Sequence, residues 1–364
     1  MNPQGRHPGR RGTRGAFTLV ELLVVISIFV LVLAIGVPAF SSLLYSSDQS
    51  LAENALKAGL SSARDAAARS ADGQDAAAVF FYDDHRPSIV TCIRTGTALD
   101  FLNNDPTQSQ QREFFAPVPG LAPVQLPRGW MIRGLTFPDA LDGQTWYEDT
   151  YPSGSGGQRP PNWVFPETSF FEHVDGLDGE DRQTFMIRFE GGSGRLKVSD
   201  TSASLVFAPS PSLAFRTSAP WSQMRADREA DGGRFGRRVA AAPPAVLQPS
   251  DKVDLLGDRA SDTVLTKAVG QVALYNESRL AGALGARPSD VTGCLYAPGN
   301  DPVYVAIPGI TNPLVRNRQI NQWIENRLTG LGGAPIPSDA RVFAVHSYLG
   351  WLTEVTGTHG QVQP

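Results

Sequence analysis

The residue whose type and place most demand a chemical reason is Glu21, the one charge in the apolar run from Phe17 to Phe40. A carboxylate at the centre of a bilayer costs about 2.5–3.5 kcal/mol on insertion scales, and less near the interface. Held in low dielectric, it needs a partner, and the N-terminal amine of a neighbouring chain is a suitable one. A side chain that snorkels to the lipid headgroups is the alternative. Elsewhere the chemistry-bearing residues are scattered. The five histidines (His7, His85, His173, His346 and His359) form no HExxH motif and pair with no cysteine at metal-ligand spacing. There is no phosphate-binding loop, no GxSxG elbow and no dinucleotide-binding glycine pattern. No catalytic residue, metal ligand or cofactor is therefore expected.

Three further groups carry candidate chemistry. The oxygens clustered from Asp175 to Asp181 are of the kind that hold calcium but lack the EF-hand spacing, so a solvated acidic loop is the favoured reading. Arg225, Arg228, Arg234, Arg237 and Arg238 surround Phe235, yet Asp227, Glu229 and Asp231 are interleaved with them. That mixture argues for a surface or subunit contact and against a nucleic-acid partner. The two cysteines, Cys92 and Cys294, exclude a disulfide scaffold; one bridge or two core thiols both stay open.

The element that must position Glu21 is a helix. The 24 residues from Phe17 to Phe40 span roughly 36 Å when helical, enough for a hydrocarbon core of about 30 Å. Arg6, Arg10, Arg11 and Arg14 precede the run and no acid accompanies them, so the N-terminus is expected in the cytoplasm and the remainder outside it. Without residues 1–16 the formal charge falls from −4 to about −8, a poor basis for binding polyanions. The run is too long for an ordinary secretory signal, and a plain signal anchor leaves Glu21 unexplained. Gly36 and Pro38 predict a helix break late in the run. The helix is then expected to resume over residues 41–72, to about Ala71, with Asp72-Gly73 as its stop. Its buried stripe is Ala52, Leu56, Leu60, Ala63 and Ala67. Glu53/Lys57 and Asp65/Arg69 are expected as pairs on exposed faces.

Residues Arg14-Gly15-Ala16-Phe17-Thr18-Leu19-Val20-Glu21 closely resemble the type III signal of type IV pilins and type II secretion pseudopilins. The resemblance implies a cut by a prepilin peptidase between Ala16 and Phe17, with Gly15 one residue upstream, and N-methylation of Phe17. It places Glu21 fifth in the mature chain, where the family's Glu sets axial register during assembly. It also implies that the helix melts locally near Gly36 and Pro38 in the filament. The order of helix, small-residue stretch and hairpin after Ser62 is similar to the H-type minor pseudopilins and their pilus counterparts, whose strands begin a β-sandwich.

The fold class expected is therefore α+β: a long N-terminal helix, transmembrane and then amphipathic, packed on a β-rich domain of pseudopilin type over residues 73–364. Val79–Tyr82 and Ser88–Arg94 read as a hairpin, with Phe185–Phe189, Gly194–Val198 and Ala203–Phe207 as further strands. Arg341–Tyr348 and Trp351–Val355 read as a final hairpin around Gly350. Residues 96–165 read as an insertion or long loops, and 221–330 as a second insertion with helices near 262–283 and 314–329. The functional expectation is a non-enzymatic minor pseudopilin of a type II secretion or related filament. It would be anchored in a bacterial inner membrane with its globular part in the periplasm. Its partners would be prepilin peptidase, other pilins or pseudopilins, the inner-membrane assembly platform and lipid. A type IV pilus minor pilin and a membrane-tethered enzyme or binding protein are the alternatives.

Overall fold

The computed structural model describes residues 19–83, 86–101, 109–118, 120–136, 162–166, 183–198, 203–207, 263–285, 313–330, 333–348 and 350–355. The chain divides into two units, Met1–Ser50 and Leu51–Pro364. Helix α1 runs from Leu19 to Ala68, 50 residues, and contributes to both. It continues through Gly36 and Pro38, so the break expected there is a missing rung in an unbroken helix. Pro38 has no N–H to offer the preceding turn, but the bonds on either side hold the helical path. Nearby, the Ser41 hydroxyl donates to the Val37 carbonyl at 2.9 Å. The helix ends three residues before the expected Ala71, and a left-handed Gly73 (φ 62°) turns the chain.

In the second unit the predicted stripe is the buried one: Ala52, Leu56, Leu60, Ala63 and Ala67 are all 0–1% exposed. Strands β1 (Ala76–Asp83) and β2 (Arg86–Phe101) form the expected hairpin, with Val79 opposite Val90. There follow β3 (Ser109–Pro117), β4 (Val124–Gln125), β5 (Trp130–Thr136), β6 (Asn162–Val164), β7 (Gln183–Phe189) and β8 (Ser204–Phe207). Then come β9 (Thr263–Ala268), β10 (Gln271–Asn276), helix α2 (Glu277–Ala283), helix α3 (Pro313–Ile324), β11 (Arg341–Val345) and β12 (Leu352–Glu354).

The first sheet closes on itself. Its hydrogen-bonded order is β1-β7-β9-β8-β3-β2, β2 pairs back to β1, and β4 adds to β2. The β7–β9 and β3–β8 pairs are parallel and the rest antiparallel. Alternate residues fill its core: Ala77, Val79 and Phe81 from β1, Val90 and Cys92 from β2, Phe115, Met186, Val206, Val264 and Ala268. Strands of the kind the resemblance puts in a sandwich are thus joined into one ring. The second sheet, β12-β11-β10-β5-β6, is antiparallel throughout. Where the sheets meet, Phe185 stacks on Phe80 at 4.6 Å and lies against Gly134, where a Cβ would come within 2.5 Å of its ring. The other face of the second sheet is covered by α2 and α3 around Trp163, Phe165, Tyr275, Ile320 and Trp323.

Several expectations are corrected. Residues 262–283 are not one helix but β9, β10 and only then α2. Lys267, Ala268, Ala273 and Leu274 favour a helix locally, but two sheets claim the segment, and the chain passes between them at Val269–Gly270. There Val269 donates to Met186 O and Gly270 O accepts from Val345, both at 2.8–2.9 Å. The stretch 96–165 supplies β3, β4, β5 and β6 rather than loops alone, and Trp163, Val164 and Phe165 are buried. The stretch 221–330 likewise carries β9, β10, α2 and α3, all built into the cores. Gly194–Val198 follows a turn at 191–193 and joins β7 through a single bridge, Leu196 to Phe189, instead of forming a strand. Helix α3 and the β11–β12 hairpin lie where they were expected, with Gly350 in the left-handed region (φ 63°) at the turn.

Candidate assembly helix and its seat

Two stretches of α1 do different work, each set by its residue pattern. From Leu19 to Leu44 the large apolar side chains point outward all round, each 49–79% exposed. A helix apolar on every side has no soluble face and is suited to lipid or to the helices of other subunits. It is long and apolar enough to cross a membrane. Glu21 lies in its first turn, exposed, where the positive end of the helix dipole favours a carboxylate. Gly15, Ala16 and Phe17 lie outside the described residues, as do the Asp175–Asp181 segment, the arginine cluster at 225–238, and Cys294.

The second stretch, in the Leu51–Pro364 unit, is seated on the β-rich core. Gly59 lets the backbone approach β2 so closely that an added Cβ would fall 2.6 Å from Ile89 Cγ2. Thr91 Oγ1 donates to Ser62 Oγ at 2.9 Å, and Gly192 N donates to Ala67 O at 2.9 Å. Glu53 does not take its pair from Lys57 as the helical spacing predicts. It accepts from Arg341 of β11, whose Nε also donates to Glu354 Oε1 at 2.8 Å. A tertiary arginine with two carboxylates outcompetes a solvated partner one turn away. Asp65 and Arg69 do pair, at 3.9 Å on the open surface.

Just beyond the helix, Asp75 and Arg188 build a buried charge cluster. Arg188 is 0% exposed, lies over the Phe115 ring at 5.2 Å, and pairs with both Asp75 and Glu113. Asp75 also accepts from Gly191 N at 2.9 Å and Lys197 Nζ at 3.2 Å. Burial opposes the Asp75 charge, but these donors outweigh it and hold the carboxyl below its ordinary value. The Arg94 guanidinium adds Nε 2.8 Å from Glu113 Oε1, off the hydrogen-bonding direction. The cluster ties the turn after α1 to β7 and β3, a structural task. Sequence reasoning missed it; its one trace is a charge at Arg188 on the inward phase of a strand that also carries Met186.

Cys92 is a free thiol inside the closed sheet, and burial pushes it up, so it stays protonated and inert. Among the described residues no group of histidine, cysteine and carboxylate side chains is arranged to hold a metal ion.

Residues 11–37 match the prokaryotic N-terminal methylation motif. That match covers Glu21 and the first part of the helix, and the motif is of the type IV pilin-like kind. The motif implies processing by a prepilin peptidase and assembly with other pilins, and the helix that follows it is long and apolar enough to anchor the chain in a membrane. No curated protein and no solved structure matches the chain.

Proposed function

We propose that the protein is a minor pseudopilin, a non-enzymatic structural subunit of a type II secretion or related pseudopilus, most similar to the H-type. The observation that carries this reading is Glu21 in the first turn of an outward-apolar helix within the methylation motif. In the proposed sequence the chain inserts into the inner membrane with its arginines in the cytoplasm. Prepilin peptidase cuts between Ala16 and Phe17, and Phe17 is methylated. The assembly platform then extracts the subunit, and Glu21 meets the N-terminal amine of a neighbouring subunit, a pairing favoured by the low dielectric among packed helices. Pro38 leaves one carbonyl without its helical donor, so the segment around Gly36 and Pro38 is the place where the helix can melt on packing. The β-rich unit would remain in the periplasm to contact neighbouring subunits or cargo.

Mass spectrometry of the mature N-terminus tests the route, with methyl-Phe at position 17 as the expected result. An intact leader in cells with active peptidase would sink the proposal. The Glu21→Ala chain should insert normally yet enter filaments at a small fraction of the wild-type level. Equal incorporation would rule out the pairing step.

A further inference from the structure

Outside α1, the large apolar side chains left exposed among the described residues are Leu121, Val198, Tyr348 and Trp351. The last three gather around the tip of the β11–β12 hairpin, with Tyr348 61% and Trp351 66% exposed. Backbone hydrogen bonds bring them together. Leu196 N donates to Ser347 O, and His346 N to Trp351 O, both at 2.8 Å. Val198 lies beside Gly270, where an added Cβ would fall 3.4 Å from Val198 Cγ2, and Gly270 O accepts from Val345 N at 2.9 Å.

Two guanidinium groups border this tip. Arg195 lies over the Tyr348 ring, its Cζ 4.4 Å from the centroid. Arg64 of α1 runs beneath two turns. A Cβ added at Gly194 would fall 3.3 Å from Arg64 Cγ, and one added at Gly350 would fall 2.9 Å from its Cδ. Both glycines are left-handed (φ 64° and 63°), so the turns close on the arginine with no side chain between. Neither guanidinium has a carboxylate partner among the described residues. The acids nearby are engaged elsewhere: Glu190 accepts from Ser193 Oγ at 2.7 Å, Asp65 pairs with Arg69, and Asp75 with Arg188 and Lys197.

Tryptophan, tyrosine and arginine are the residues that carry most of the binding energy at protein interfaces. An arginine fork is matched by a carboxylate at short range. With a net charge of −4 the chain does not attract polyanions in general, so the complement is a few placed carboxylates rather than nucleic acid. We infer that this tip docks an acidic peptide segment of a different protein. Carboxylates of that segment take Arg64 and Arg195, and an apolar side chain between them lies on Tyr348 and Trp351. The surface belongs to the Leu51–Pro364 unit and does not depend on the filament reading.

The test places the photo-cross-linker benzoylphenylalanine at Val198 of the full chain, in the cells that make it, which leaves Tyr348, Trp351 and both arginines intact. Sequencing of the cross-linked peptide should return a segment of another protein that carries several acidic residues. Its yield should exceed several-fold that from the same probe at exposed Ser278, beyond the far end of β10. Arg195→Gln and Trp351→Ala, both at exposed positions, should each lower the yield several-fold without moving the melting temperature. Arg195→Glu should abolish the cross-link, and changing an acid of the captured segment to lysine should restore it. A captured segment without acids, a second copy of this chain, or lipid alone overturns the proposal. So does a yield that Arg195→Gln leaves unchanged, or one no higher than at Ser278.

Discussion

Glu277 and Asp75 show how donors decide the outcome of burial: it pushes both carboxyls up, and only at Asp75 do hydrogen-bond donors and Arg188 reverse the shift. Glu277 opens α2 after the N-cap Asn276, is 8% exposed, and is pushed up from 4.5 to about 6 by desolvation. Because the folded state prefers the protonated form, its contribution is full below about pH 4.5 and is lost as the pH rises through about 6. The loss is on the order of 2 kcal/mol. Melting curves across that window should show stability falling with pH in the wild type, and Glu277→Gln should flatten the slope. An unchanged slope would contradict the assignment. Asp75 runs the other way: held below its ordinary value, it contributes above pH 3.8 and loses that contribution as the pH falls. Its partner Arg188 is the more fragile member. Arg188→Met leaves Asp75 and Glu113 partly uncompensated in a buried place and should cost about 3–5 kcal/mol by denaturant titration. A loss below about 1 kcal/mol would mean that Lys197 and Arg94 suffice alone. Neither carboxylate stood out in the sequence, because burial and donors come from residues far away along the chain. Glu21 was legible because its anomaly is local, a charge among apolar neighbours.

Elements were legible where their own pattern decides them and obscure where distant pairing does. The stripe Ala52, Leu56, Leu60, Ala63 and Ala67 follows helical spacing, and all of it is buried as read. The β1–β2 hairpin is likewise local. Residues 262–283 failed as a helix because β9 pairs with β7 and β8 whereas β10 pairs with β5 and β11. Those partners lie tens of residues away in either direction, and no window on the segment contains them. The seat of α1 on β2 carries a sharp test. In an exposed helix Gly→Ala usually stabilises by about 1 kcal/mol. At Gly59 the new Cβ would sit 2.6 Å from Ile89 Cγ2 and 3.0 Å from Ile89 Cβ, and a β-branched side chain cannot swing its Cβ away. The sign should therefore reverse, to a destabilisation of about 1–3 kcal/mol. Combining it with Ile89→Ala should cost less than the sum of the two single changes, since each relieves the other. Strict additivity in the double-mutant cycle would show that the two residues do not touch.

For the whole molecule, the question is which part of α1 the β-rich unit needs. The second unit begins at Leu51, so its compactness includes the last turns of the helix. Those turns bury Leu56 and Leu60 at 0% and 1% exposure, and large-to-small changes at such sites cost about 2–5 kcal/mol each. Losing the whole segment removes both leucines, three alanines, and the Glu53 partner of Arg341. The total is comparable to the roughly 5–15 kcal/mol by which domains are stable. A chain starting at Leu51 should thus fold, stay soluble and melt cooperatively, because it keeps the stripe and sheds the outward-apolar stretch. A chain starting at Gly73, the boundary expected from sequence between helix and globular part, should expose Ile89 and its neighbours and aggregate. Circular dichroism and gel filtration of the two fragments decide the matter. If the Gly73 fragment proved monomeric and cooperative, the amphipathic half of α1 would be an appendage rather than part of the core. The boundary read from the sequence at Gly73 marks the turn after the helix ends at Ala68, and the core is closed by residues on both sides of it.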